Sequence, residues 1–346
     1  MAGSSTHLTM SIILATYNGE RYLPVLLESL SKQTRLPDEL VVCDDGSSDD
    51  TLAVVRAFAA TAPFPVHVHV NPMNLGFNRN FLSGAARCTG ELIAFCDQDD
   101  VWQPEKLAQC ARVFRDGGVV LAVHAAEVVN QDLQPLGYAI QDFGRSRVVR
   151  SLATDPFFGP RGFSMVCRAS LLQRLPFEQR PRNLEGKPQD FDEWIGFLGS
   201  VFGKTAYLQA RLVRYRQHGQ SVTAVAQSTG LLPSARRSAG AGAKSYAYRV
   251  QLLREYADFL EERAAGATGE QQTRLARAAA HYGDLSRRWA RRTALYRSRP
   301  LPLLGLPRVL TLLLGGDYSP AMGGGLGLTS LVKDTFVATT GYRPAG

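Results

Sequence analysis

Short apolar runs that stop abruptly at polar or acidic residues, each followed by a stretch of helical periodicity, constrain this chain more than any other feature. Residues 10–15 end at Thr16-Tyr17-Asn18-Gly19, residues 40–43 at Asp44-Asp45, and residues 92–96 at Asp97-Gln98-Asp99-Asp100, ahead of Val101-Trp102. Such runs have the length of buried strands. Between them Tyr22, Leu23, Leu26, Leu27 and Leu30 recur at helical spacing, residues 51–60 and 77–88 repeat the pattern, and residues 66–70 add a strand. Strands alternating with helices in this way predict an α/β fold with a mainly parallel sheet, its strand ends gathered on one rim. Ligands of open α/β folds bind at that rim. Asp97 and Asp99, spaced i, i+2, can place oxygens on one side of an extended tip and hold a hard divalent cation that also touches phosphate. The competing reading of the same acids is a turn that caps the next helix.

At 346 residues the chain has room for two domains or one large domain with an extension. Hydrophobic content of 45% and charged content of 20% are those of a globular protein, and a formal charge of +8 suits an anionic partner. The cysteines, Cys43, Cys88, Cys96, Cys110 and Cys167, have no metal-like spacing and read as reduced, buried side chains. Residues 1–10 lack the basic start and apolar core of a secretory leader, so a cytoplasmic location is expected. The longest apolar stretch, residues 301–314, is broken by Pro302, Pro307 and Arg308 and is shorter than a spanning helix requires.

A third acidic cluster, Asp190, Asp192 and Glu193, opens an apolar helix-like run ending at Phe202. A strand is expected over 205–208, ahead of Arg214-Tyr215-Arg216-Gln217-His218. Residues 227–243 are rich in Ser, Ala and Gly and predict a linker, and helices follow over 246–265 and 271–299. The second carries Arg287, Arg288, Arg291, Arg292, Arg297 and Arg299. These are a solvated basic face by default. Beside the apolar 301–314 run they also suit an anionic membrane surface, with helical packing on the N-terminal α/β domain as the rival. Trp289 and Tyr296 fall among these arginines, but no nucleic-acid-binding motif accompanies them, so nucleic acid is not expected as a partner.

The order of Thr16-Tyr17-Asn18, Val42-Cys43-Asp44-Asp45-Gly46-Ser47, Asn74-Leu75-Gly76 and Cys96-Asp97-Gln98-Asp99-Asp100-Val101-Trp102 resembles the family 2 glycosyltransferases, most closely their bacterial rhamnosyltransferase-like branch. The resemblance implies a GT-A nucleotide-diphospho-sugar transferase domain over 9–225, a linker over 226–243 and a helical basic and apolar extension over 244–346. It places Thr16, Tyr17, Asn18 and Glu20 along the nucleotide, Asp45 on its base, and Arg79 near the pyrophosphate. Asp97 and Gln98 fall near the ribose and donor, with Gly162 and Ser164 beside the donor sugar. Asp99 is the implied centre of an Mg²⁺ or Mn²⁺ site, and His218 a diphosphate contact or further ligand. Matched on Trp194, the family's catalytic base falls on Asp192, with Phe191 and Glu193 replacing its usual neighbours and leaving Asp190 or Glu193 as substitute bases. The implied activity is inverting transfer of a sugar, dTDP-L-rhamnose being the first donor and UDP-hexoses the competitors, to a glycan or lipid-linked oligosaccharide acceptor. That assigns the chain to the cytoplasm or the inner face of the membrane. A nucleotidyltransferase on a similar sheet is the rival chemistry, but the glycine- and lysine-rich triphosphate loop it needs is missing near Thr16.

Overall fold

The computed structural model describes residues 8–182, 187–218, 243–297, 305–318 and 327–340. They fall into two compact units. The first takes residues 8–151, 159–179 and 190–218, and the second takes 152–158, the described parts of 180–189, and what is described from 243 onward.

In the first unit β1 (Met10–Thr16), β2 (Glu39–Asp44), β3 (Val66–Val70) and β4 (Leu92–Cys96) alternate with α1 (Leu23–Ser31), α2 (Thr51–Ala59) and α3 (Phe77–Ala85). They pair in parallel in the order β3-β2-β1-β4. Ile12, Ile13 and Leu14 of β1 expose no surface and β4 is buried throughout, as parallel strands covered on both faces must be. β3, at the edge, is half exposed.

Beyond β4 come β5 (Val101–Trp102), α4 (Lys106–Val113), β6 (Val119–Val129), β7 (Pro135–Ile140), β8 (Arg147–Val149), β9 (Met165–Arg168), α5 (Ala169–Leu172), α6 (Phe191–Phe202) and β10 (Lys204–Arg216). Here the sheet is mixed. β9 lies antiparallel between β4 and β6, whereas β10 runs parallel to β6 and receives antiparallel β5 on its other side. The irregular segment 150–164 leads into β9 with no crossover helix, and a parallel partner would need one. The strand expected over 205–208 runs on to Arg216 through register shifts near Leu208 and Arg211. That extension carries the end of β10 to the acidic turn after β4. All five cysteines lie in this unit as free thiols, and Cys43, Cys96, Cys110 and Cys167 are buried.

In the second unit α7 (Ala243–Ala265) and α8 (Gly269–Arg297) form a hairpin around Gly269, whose φ of +62° suits glycine. Leu253, Leu260, Leu275 and Leu285 are fully buried. Two shorter helices follow, α9 (Leu306–Leu314) and α10 (Gly327–Thr340). Residues 226–242 of the expected linker lie outside the described residues, and Ala243 is already helical. Segment 152–158 joins this unit because Phe157 meets the edge of Trp289 at 5.4 Å and lies under the Arg249 guanidinium at 4.4 Å.

The basic face of α8 is not simply solvated. Arg292 is 3% exposed and donates to both carboxylate oxygens of Asp334, which also accepts from the hydroxyls of Tyr296 (2.6 Å) and Tyr318 (2.9 Å). Burial opposes charge on Arg292, but Asp334 holds the guanidinium protonated. Arg288 and Arg291 pair with buried Asp317 at 3.1 and 2.7 Å. Arg299 lies outside the described residues. On α9 and α10, Leu310, Leu313, Leu314, Val332 and Phe336 stay exposed. No helix among the described residues is long and apolar enough to cross a membrane.

Candidate active site

The tips of β1 and β4 are joined by a side chain. Gln98 accepts from the Tyr17 amide at 2.9 Å and donates to the Tyr17 carbonyl at 3.0 Å, extending the pairing past the strand ends. Asn18 sits in the left-handed region at φ 48°, where asparagine is tolerated, and its side-chain oxygen accepts from Ser48 N at 2.9 Å. Glu20 accepts from Asp50 N at 2.8 Å. The turn after β1 is thereby tied to the turn after β2. Tyr17 remains half exposed and Arg79 is exposed.

Two expected nucleotide contacts, Thr16 and Asp45, are buried and hydrogen-bonded within the protein. Thr16 is 1% exposed and donates to Asp44 at 2.8 Å. Asp45 is 3% exposed, and its carboxylate accepts from Leu75 N (2.7 Å), Gly76 N (2.8 Å) and Asn71 Nδ2 (2.9 Å). Both side chains thus hydrogen-bond within the protein, Thr16 to β2 and Asp45 to the turn before α3. Ser164 is likewise fully buried, donating to the Arg161 carbonyl at 2.6 Å.

The acidic turn behaves differently. Asp97 is half-buried, and its pKa is pushed up to about 7 by burial first and then by Asp99 and Asp192. Asp99 Oδ2 lies 2.8 Å from His218 Nε2, so β10 delivers a histidine from 119 residues away to the end of β4. The Tyr22 ring packs 4.8 Å from that imidazole. Arg216 secures the approach, donating from Nε to the Asp99 carbonyl at 2.6 Å and from its amide to Asp100 Oδ1 at 3.0 Å. Asp100 is buried, and burial raises its pKa well above the carboxylate range. Asp99 and His218 together fit an oxygen-preferring cation. Among the described residues no group of three His, Cys, Asp or Glu is placed to hold a metal ion.

Asp192 enters from the first turn of α6. Its Oδ2 accepts from Gly162 N at 3.3 Å and its Oδ1 from Glu193 N at 2.8 Å. Burial raises its pKa to about 6, the Glu193 amide bond and Arg161 opposing the rise while Glu193 and Asp190 add to it. Its charge also contributes to raising the pKa of Asp97 at the end of β4.

Gly162 is required by contact: a Cβ there would lie 2.4 Å from the Phe191 ring. We expect Gly162→Ala to push the start of α6 aside and lower turnover roughly 10–100-fold, the scale of an ångström misplacement at a reacting centre. Steady-state kinetics at wild-type rates would refute this.

Two further residues carry no sequence signal of a role. The Lys106 ammonium is fully buried, donates to the Phe163 carbonyl at 2.7 Å, stands 3.3 Å from the centre of the Trp102 ring, and has its pKa lowered by burial to about 8. In sequence it reads only as the opening of a helix. The Arg161 charge acts on Asp97, Asp192 and Glu193 while Gln141 Oε1 accepts from its amide at 2.8 Å. A lone arginine between Pro160 and Gly162 has no distinguishing pattern.

Residues 11–175 match the model of "Glycosyl transferase family 2". The N-terminal domain belongs to glycosyl transferase family 2. The chain is 28% identical over 238 residues to an uncharacterized glycosyltransferase of Nostoc, covering 67% of this chain and 72% of that protein. It is 25% identical over 184 residues to the Salmonella typhimurium O-antigen chain rhamnosyltransferase RfbN, covering 53% of this chain and 56% of RfbN. The match spans 60% of a Mycobacterium tuberculosis relative and 62% of a Bacillus subtilis one. Among solved structures, S. aureus TarS 1-349 in complex with UDP-GlcNAc superposes with a TM-score of 0.53 at 16% identity, over 96% of this chain and 90% of that one. That likeness gives the GT-A fold.

Proposed function

We propose that the protein is an inverting glycosyltransferase that moves a sugar from a nucleotide-diphospho-sugar to a hydroxyl of a cell-surface polysaccharide or lipid-linked oligosaccharide. The observation that supports this is the Asp99–His218 contact of 2.8 Å at the end of β4, with the Asp192 charge acting on neighbouring Asp97. In this reading the acceptor oxygen bonds to the anomeric carbon as the bond from that carbon to the diphosphate oxygen breaks on the opposite face, inverting the centre. Asp192 takes the hydroxyl proton, and the nucleoside diphosphate leaves with the electron pair. Tyr17, Asn18, Glu20, Gln98 and Arg79 belong to the donor side, with Gly162 bringing the sugar close to the backbone. Asp99 and His218 would hold Mg²⁺ or Mn²⁺, which supplies positive charge to the leaving diphosphate.

The likeness to RfbN supports L-rhamnose from dTDP-L-rhamnose as the first donor to test, with UDP-hexoses as the alternative. The deciding experiment incubates a panel of nucleotide sugars with and without Mg²⁺ or Mn²⁺ and reads nucleotide release and thermal shift. A ligand that binds only the native state must stabilise it, so a panel in which none does sinks the proposal. Asp99→Ala should remove the metal-dependent part of the donor's thermal shift. A shift of wild-type size that still depends on metal would take Asp99 out of the site.

The exposed Leu310, Leu313, Leu314, Val332 and Phe336 favour contact of the second unit with an anionic membrane, with exposed Arg308 on the same short helix. Co-sedimentation with phosphatidylglycerol vesicles, reduced in a L313D/L314D variant, is the expected result. No difference between that variant and wild type would discard the contact.

A further inference from the structure

Helix α6 begins without a cap of its own. Asp190 occupies its N-cap position, yet the Asp190 side chain makes no capping hydrogen bond. The first helical amide, Phe191 N, instead donates to Asn78 Oδ1 at 2.7 Å, and Asn78 Nδ2 donates to Asp190 Oδ1 at 2.9 Å. The orientation of this amide is chemically forced. A backbone N–H can only donate and an ionised carboxylate can only accept, so the Asn78 oxygen must face the first and its nitrogen the second.

Asn78 lies in the first turn of α3, 113 residues before Phe191, and α3 begins where Asp45 gathers Leu75 N and Gly76 N. Phe191 is pressed onto the same helix, its ring stacked 4.4 Å from Phe81 and 5.4 Å from Phe95. Asp192 is the next residue, and the only further bond tying its carboxylate to another segment among those described here is the 3.3 Å contact with Gly162 N. The orphan amides of a helix start are satisfied by nearby Ser, Thr, Asp or Asn in ordinary cases. Here that task falls to a residue of the half of the domain that cradles the nucleotide.

We infer that Asn78 is a positioning residue for the reaction: its side-chain amide caps α6 from α3 and sets the Asp192 carboxylate relative to the donor cradle. This rests on the reading of Asp192 as the base. The charged groups facing Asp192 are Asp97 at the end of β4, Arg161 beside the Gly162 turn, and Asp190 and Glu193 on its own helix. A carboxylate at position 78 would add a negative charge next to Asp190, while keeping an acceptor for Phe191 N.

The test uses the full chain with dTDP-L-rhamnose and, in parallel, UDP-GlcNAc, reading nucleoside diphosphate release and thermal shift. N78D should lower kcat roughly 10–100-fold with KM and the donor-induced thermal shift retained, the scale of a misplaced reacting group. The acid limb of its kcat profile should move to higher pH. The double variant N78D/D190N exchanges donor and acceptor across the same bond and should recover most of the loss, a coupling that a purely local packing defect does not give. N78A, which removes both bonds, should resemble N78D in kcat but leave the pH limb in place, and it serves if N78D does not fold. Wild-type kcat in both single variants, or a double variant no better than N78D, overturns the inference. D192N runs alongside: if it is inactive while the Asn78 variants are unaffected, only this inference fails. If D192N turns over like wild type, the reading of the base fails with it.

Discussion

Asp192→Asn is expected to lower sugar transfer by about 10²–10⁴-fold while leaving nucleotide-sugar binding intact, because it removes one proton acceptor and almost no volume. In the wild type, activity should fall as pH drops through about 6, where burial has placed the Asp192 pKa. The same shift affects stability. An unfolded aspartate titrates near 3.9, so the folded state takes up the proton first as pH falls from about 6 towards 4 and gains stability over that window. Above it the buried charge weakens the fold. Asp192→Asn should therefore raise the thermal midpoint at pH 7 to 8 while it abolishes turnover. A variant that keeps wild-type turnover removes Asp192 from the chemistry, and one that is inactive but less stable than wild type contradicts the electrostatic account.

Asp334→Ala should have the largest effect on stability. Asp334 is fully buried and holds Arg292 together with the hydroxyls of Tyr296 and Tyr318, so its removal leaves a buried guanidinium without its counter-charge. Breaking such a pair from one side costs about 3–5 kcal/mol, more than the pair itself contributes, because desolvation of the survivor is no longer offset. A fall in the midpoint of the second unit's transition on the order of 10 °C follows by calorimetry of the full chain. A change within about 2 °C would mean that water or a rearranged partner satisfies Arg292.

The parallel half of the sheet was legible because strands covered on both faces are written as unbroken apolar runs, as in β1, β2 and β4. The mixed half was legible only in part, through the strand expected over 205–208. β9 has four residues, β7 and β8 are largely exposed, and the irregularity in β10 around Gln209 and Ala210 hides its continuation to Arg216. In the site, carboxylates at strand ends are visible in a sequence, and the structure sets Asp99 against His218 at the end of β4. What a sequence does not show is that Asp45 already accepts from the Leu75 and Gly76 amides, or that the Thr16 and Ser164 hydroxyls donate to the Asp44 carboxylate and the Arg161 carbonyl. The arginines of α8 were misread for a related reason. Their partners, Asp317 and Asp334, are single acids lying 26 and 42 residues further on in apolar surroundings, where no local pattern announces them.

The distribution of thiols gives the molecule a built-in reporter. Every cysteine belongs to the first unit, and burial pushes the pKa of each upward, so little thiolate is accessible in the native state. Alkylation of Cys43, Cys96, Cys110 and Cys167 by a maleimide is therefore gated by opening of the first unit, the helical unit carrying no thiol among the described residues. Labelling rates followed beside far-ultraviolet circular dichroism would separate the melting of the two units without an introduced probe.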